Sequence, residues 1–126
     1  MAHYPIRYEV RVLQERITLH RACFGADLFS LRGGLRSNYE NQRDRPHPAD
    51  LHATILHMAV SMFEKADTIE LLARRHPTRI GTHVMSLVLQ PGHGVCVADT
   101  SGPGHWSVWG VPAQLQAFVT GVRKVP

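Results

Sequence analysis

Apolar residues recur at every second position near both ends of the chain and at helical spacing in the middle, so the sequence divides into strands, then helices, then strands. Residues 6–12 place Ile6, Tyr8, Val10 and Val12 on one face and Arg7, Glu9 and Arg11 on the other, the period of a half-buried strand. Residues 14–16 are polar enough for a turn but contain no Gly, Asn or Asp. Residues 17–23 alternate again, with Ile17, Leu19, Arg21 and Cys23 on one side and Thr18, His20 and Ala22 on the other. This predicts an N-terminal strand pair. Residues 24–31 have room for one helical turn before Gly33 and Gly34 punctuate the chain, and residues 37–48, polar and with two prolines, predict a long loop.

Residues 49–63 fit two patterns. Leu51, Ile55, Met58, Ala59 and Met62 follow helical spacing, whereas Val60 to Phe63 also fit a short buried strand after a helix ending near His57. Residues 64–75 predict an amphipathic helix with Ala66, Ile69, Leu72 and Ala73 as its apolar stripe and Leu71 widening it. Arg74, Arg75 and His76 suit its negative C-terminal end, and Pro77 closes it. From Ile80 the period returns to two: Met85, Leu87 and Leu89 alternate with Val84, Ser86 and Val88. Further strands are expected at residues 95–98, 105–109 and 118–125, with a helical turn at 112–116. The sum is α+β: residues 1–126 form one domain, with a mixed, mainly antiparallel sheet and helices packed on it.

Composition changes this picture little. The chain has 44% apolar and 19% charged residues, ordinary for a globular protein. The formal charge of +4 comes with scattered arginines rather than a basic stripe, and no nucleic-acid-binding motif is present, which argues against a nucleic-acid partner. No apolar run approaches the length of a membrane helix, and no signal-peptide pattern opens the chain; the expectation is a cytoplasmic protein with its two cysteines reduced.

Chemistry-bearing residues are numerous but sparsely patterned. His47, His52 and His57 are five apart, which turns neighbours about 140° around a helix and off a shared face. There is no His-Glu-x-x-His or Cys-x-x-Cys, and no metal site is assigned. Cys23 and Cys96 lie in apolar runs and read as small buried hydrophobes. Ser61 lacks a Gly-x-Ser-x-Gly elbow. Arg21, in register with aliphatic residues, must find an acceptor if buried: a ligand or the protein itself. His105 and Trp109 share a strand face behind a Gly-Pro-Gly loop, where an imidazole and an indole can line a pocket or simply pack at a sheet edge. Tyr39, in the long loop, has the chemistry to stack on a ligand.

Three segments, in order, resemble a small ADP-ribosyltransferase-like domain: LHRAC at 19–23, AVSMFEKADTIELLARR at 59–75 and GHWSVWGVPAQL at 104–115. The resemblance implies a fold of the α+β type above and NAD, or an ADP-ribose-type nucleotide, as the ligand. It implies that His20 or Arg21 holds ribose or phosphate, that Ser61 supports the nicotinamide ribose, and that Tyr39 or Trp109 stacks on the nicotinamide. His105 falls where such domains usually carry a glutamate, and a neutral imidazole cannot supply that negative charge. The implied activity is transfer of ADP-ribose to a protein acceptor or cleavage at the nicotinamide ribose, with Arg21, Ser61 and His105 at the reacting centre, in a cleft between strands 17–23 and 105–109. Such domains belong to toxin or defence systems among others. The alternative is a non-catalytic protein-interaction module, as a homo-oligomer or a partner-binding subunit, using exposed Trp and Arg residues.

Overall fold

The computed structural model describes residues 8–100 and 102–126. Among these residues seven strands form a single sheet: β1 (Arg11–Val12), β2 (Ile17–Cys23), β3 (Val60–Phe63), β4 (His83–Leu89), β5 (Cys96–Asp99), β6 (His105–Trp109) and β7 (Val119–Lys124). Their order is β1-β5-β6-β3-β2-β4-β7, and every pairing is antiparallel. The expected α+β class therefore holds, with an antiparallel sheet in place of a mixed one.

Among the described residues five helices punctuate the strands: α1 (Leu28–Gly34), α2 (Asn38–Asn41), α3 (Leu51–His57), α4 (Ala66–Arg75) and α5 (Pro112–Gln116). The short ones depend on their caps. Asp27 accepts from the Ser30 amide at 2.9 Å to start α1, and Asp50 accepts from the Ala53 amide at 3.0 Å to start α3. Ser37 and Glu40 form a capping box around α2, inside the segment expected to be loop. Pro112 sits in the first turn of α5, where its missing N–H costs nothing.

The alternation in β2, β4 and β6 sorts side chains onto the two faces of the sheet. One face carries Leu19, Val60, Met62, Met85, Leu87, Leu89, Val97 and Val108, covered by Leu31 and Leu35 at α1 and by Leu115 of α5. The other carries Ala22 and Val84 beneath Ile69 of α4, with Phe63 and Leu72 alongside. The α4 stripe is narrower than expected: Ile69 and Ala73 are buried, but Leu71 is exposed. Glu70 ties α4 to β7 through Arg123 at 2.9 Å and also meets Arg74 at 3.3 Å.

The expected N-terminal strand pair is corrected. β1 is two residues long and pairs with β5, while β2 lies four strands away between β3 and β4. Val10 and Val12 are exposed, and Leu13 is the buried residue instead. A two-residue edge strand bonded on one side cannot bury the alternating face that the pattern indicated. Ile6 and Arg7 lie outside the described residues. The two patterns at 49–63 resolve into helix α3 followed by strand β3.

Candidate functional site

The residues named from the sequence fall into three neighbouring places. The first is the seam between β2 and β3. These strands share one bridging pair, His20 with Phe63, and beyond it the Arg21 side chain enters the gap. Its Nη1 donates to the Ser61 carbonyl at 2.6 Å and its Nε donates to the Gly34 carbonyl at the end of α1. Arg21 and Ser61, 40 positions apart, are thus in contact, through the Ser61 backbone rather than its hydroxyl. Among the described residues no buried side-chain nitrogen or oxygen is left without a hydrogen-bond partner. Burial lowers the Arg21 pKa to about 10, which leaves the side chain charged at neutral pH. Burial also raises the pKa of nearby Cys23, so its thiol stays protonated and unreactive.

The second place is a row across the other face of the sheet. Strand register puts Ser86, His20, Phe63 and His105 side by side on β4, β2, β3 and β6. His20 Nδ1 lies 2.8 Å from Ser86 Oγ, and its pKa is lowered by burial and, less, by Arg123; it is neutral at neutral pH. His105 Nδ1 lies 2.9 Å from the Thr100 carbonyl, which can only accept, so Nδ1 is the donor in that bond. Thr100 Oγ1 stands 3.1 Å from the same nitrogen and 2.7 Å from Ser107 Oγ, and Phe63 meets the imidazole edge-on at 5.1 Å. The His105 ring is therefore held in a fixed orientation. The expected cleft between strands 17–23 and 105–109 is corrected here: β3 occupies the space between them.

The third place is a groove over Tyr39. On one side an apolar pocket of about 390 Å³ is lined by Tyr39, Met58, Cys96, Trp109 and Val111, with Glu40 and Gln114 as polar groups. On the other side a pocket of about 460 Å³ is lined by Arg45, Gln42, Thr54, His57 and two prolines, and it shares Tyr39 and Glu40 with the first. The aromatic walls are held in place. Trp109 Nε1 donates to the Ile55 carbonyl at 2.9 Å, and His57 meets Tyr39 edge-on at 6.1 Å. One oxygen of Glu40 takes the Ser37 amide at 3.0 Å and the Ser37 hydroxyl at 3.1 Å, so the carboxylate is fixed at the junction of the two pockets. Both volumes lie in the range of small-molecule sites, and the first has the apolar lining with few polar groups that such sites share.

Sequence reasoning named Tyr39 and Trp109 for stacking, and the structure brings them to one pocket. It did not find Glu40, Met58, Cys96, Val111 or Gln114; only the capping-box spacing of Ser37 and Glu40 marked that turn in advance. His105 stands four residues from Trp109 along β6, roughly 13 Å at the rise of a strand, and does not line the groove. Trp106 lies on the opposite face, nearly buried, with Nε1 donating to Glu64 at 2.7 Å and Arg11 over its ring at 5.7 Å. A separate pocket of about 550 Å³ near the β1–β2 connection includes Trp106, Arg11 and Arg16, and none of the sequence-named residues. Among the described residues no three His, Cys, Asp or Glu side chains converge as a metal site, and no helix is long and apolar enough to cross a membrane.

No protein-family model, no curated protein and no solved structure matches the chain.

Proposed function

We propose that the chain is an ADP-ribosyltransferase-like domain that binds NAD or an ADP-ribose-type ligand in the groove over Tyr39. The observation that carries this reading is the convergence of Tyr39 and Trp109, 70 positions apart, on one apolar pocket that continues past Glu40 into a second pocket bearing Arg45. A planar base or nicotinamide stacked on the indole or the phenol gains roughly 1–3 kcal/mol per base. Arg45 suits a phosphate through charge-assisted hydrogen bonds. The unused oxygen of Glu40 suits a ribose hydroxyl, and a carboxylate beside a glycosidic carbon stabilises positive charge there if the nicotinamide bond is cleaved. Ser61 and Arg21 touch one another but line neither pocket of the groove. His105 and His20 are hydrogen-bonding groups outside the groove itself.

A second reading, a protein-interaction module, has its own observation. Phe24, Leu28 and Phe29 are 54%, 52% and 88% exposed around the start of α1, a cluster of apolar side chains in water.

The two tryptophans separate the readings. The indole N–H resonances of Trp109 and Trp106, assigned with Trp109→Phe, are followed while ADP-ribose is added. The nucleotide reading expects the Trp109 signal to move in a saturable way and the Trp106 signal to stay. A folded sample in which neither signal moves at millimolar ADP-ribose contradicts it and leaves the interaction module.

A further inference from the structure

The lining of the groove comes from different parts of the chain. One part is α2 and its cap, with Ser37, Tyr39 and Glu40, reached directly from the end of α1. Another part of the lining is Met58, which leads directly into β3. Gly34 lies three residues before Ser37, and Ser61 lies three residues after Met58. The Arg21 guanidinium donates to both the Gly34 carbonyl and the Ser61 carbonyl.

Backbone packing allows this bridge. At Gly34 a Cβ would lie 2.8 Å from Met85 Cε and 2.9 Å from Cys23 Cβ, so only glycine lets the end of α1 come this close to β2. β3 pairs with β2 at one position only, which leaves the Ser61 carbonyl for a side-chain donor. A guanidinium has N–H groups pointing in diverging directions within one rigid plane; a lysine ammonium is a single point on a flexible stem and cannot reproduce that span.

We infer that Arg21 is a positioning residue: it clamps the α1–α2 part of the lining to the part that leads into β3 and thereby sets the width of the groove between Tyr39 and Trp109. This rests on the groove being the nucleotide site, and it gives Arg21 a task other than direct contact with phosphate. Two of its donor groups are committed to the protein, and the groove's own lining offers Arg45 for an anion.

The test compares ADP-ribose with adenosine, which lacks the diphosphate, on wild type, Arg21→Lys and Arg21→Ala, together with hydrogen exchange of the α2 amides. A clamp predicts that both substitutions weaken the two ligands by the same factor, about tenfold or more given the strength of hydrogen bonds to a charged group. Lysine then rescues little. The Asn41, Gln42 and Arg43 amides, which close α2 onto Ser37, Tyr39 and Asn38, exchange faster in both variants, while the β4 amides stay protected and report an intact fold. A direct phosphate contact predicts instead that ADP-ribose weakens, adenosine is unaffected and lysine restores much of the loss; that result overturns the inference. If wild type binds neither ligand, the nucleotide reading fails, and the exchange arm decides the clamp alone: unchanged α2 exchange in Arg21→Lys and Arg21→Ala refutes it, and faster α2 exchange with β4 protected supports it.

Discussion

Replacing Gly81 with alanine tests whether the entry to β4 is packed as described. Gly81 is buried and has φ of +147°, a conformation that side-chain-bearing residues rarely adopt. A Cβ there would lie 2.5 Å from the Cys23 carbonyl oxygen, 3.0 Å from the Cys23 nitrogen and 3.1 Å from its carbonyl carbon. These are backbone atoms at the end of β2, and the same carbonyl accepts from the Thr82 amide at 3.0 Å, so no rotamer change relieves the clash. Backbone strain costs about 1–3 kcal/mol and overpacking about as much again, which puts Gly81→Ala at roughly 2–6 kcal/mol. With an unfolding entropy of about 2.1 cal/mol/K per residue, a chain of this length loses roughly 8–23 °C in Tm. Gly92→Ala is the internal comparison: Gly92 also has positive φ, at +85°, but a Cβ there meets nothing within 4 Å, so only strain is added, and the expected fall is about 4–11 °C. The assay is thermal unfolding followed by far-ultraviolet circular dichroism, with a urea titration beside it. A Gly81→Ala protein that melts no earlier than Gly92→Ala refutes the packing of β4 against the end of β2.

Two further outcomes are expected. His20 has a folded pKa below its ordinary 6.5, through burial first and Arg123 second, so the unfolded chain takes up the proton more readily. Its contribution to stability is complete above pH 6.5 and declines as the pH falls through 6.5 toward the lowered folded value. Melting temperatures between pH 8 and pH 5 are expected to fall less steeply in His20→Gln than in wild type, and equal slopes would sink the assignment. Ser37→Ala removes the hydroxyl that caps α2 from a buried position, at a cost of about 1 kcal/mol, and frees Tyr39 and Glu40. Calorimetric titration should then show weaker ADP-ribose binding together with a slightly lower Tm; unchanged affinity would mean that α2 does not shape the groove.

Most of the sheet was legible from the sequence because its strands are half-buried or carry opposed apolar faces. Ile17–Cys23, His83–Leu89 and His105–Trp109 all announce themselves by alternation, and α4 by its stripe. Alternation reports a face and not a partner, which is why residues 6–12 suggested a hairpin with β2 while Arg11 and Val12 pair with Val97 and Cys96 on the far edge. Leu71 matched the helical stripe by spacing alone, but Ile69, with Leu72 alongside, makes the contact with Ala22 and Val84, and Leu71 faces water. α2 was hidden by its polar, proline-rich surroundings, although the reciprocal Ser37–Glu40 cap was written at the usual spacing.

The site was legible by residue type and not by arrangement. Tyr39 and Trp109 were chosen as stacking residues, and they line one pocket. The partners that make it a pocket, Met58 from the α3–β3 turn and Cys96 opposite Trp109 in β5, have nothing local to mark them. Arg21 drew attention as a charge among aliphatic residues, and the acceptors it needs are backbone carbonyls that no sequence pattern displays. His105 and Trp109 share a strand face by alternation, but four residues of strand separate the imidazole from the groove that the indole lines.

The measurement that bears most directly on the proposed function is the calorimetric affinity of ADP-ribose for the wild-type protein, Tyr39→Ala and Trp109→Ala. Stacking worth roughly 1–3 kcal/mol per ring predicts a saturable wild-type isotherm that each substitution weakens about 5- to 150-fold. A wild-type isotherm that stays flat to millimolar ADP-ribose, or one that both substitutions leave intact, would contradict nucleotide binding between Tyr39 and Trp109.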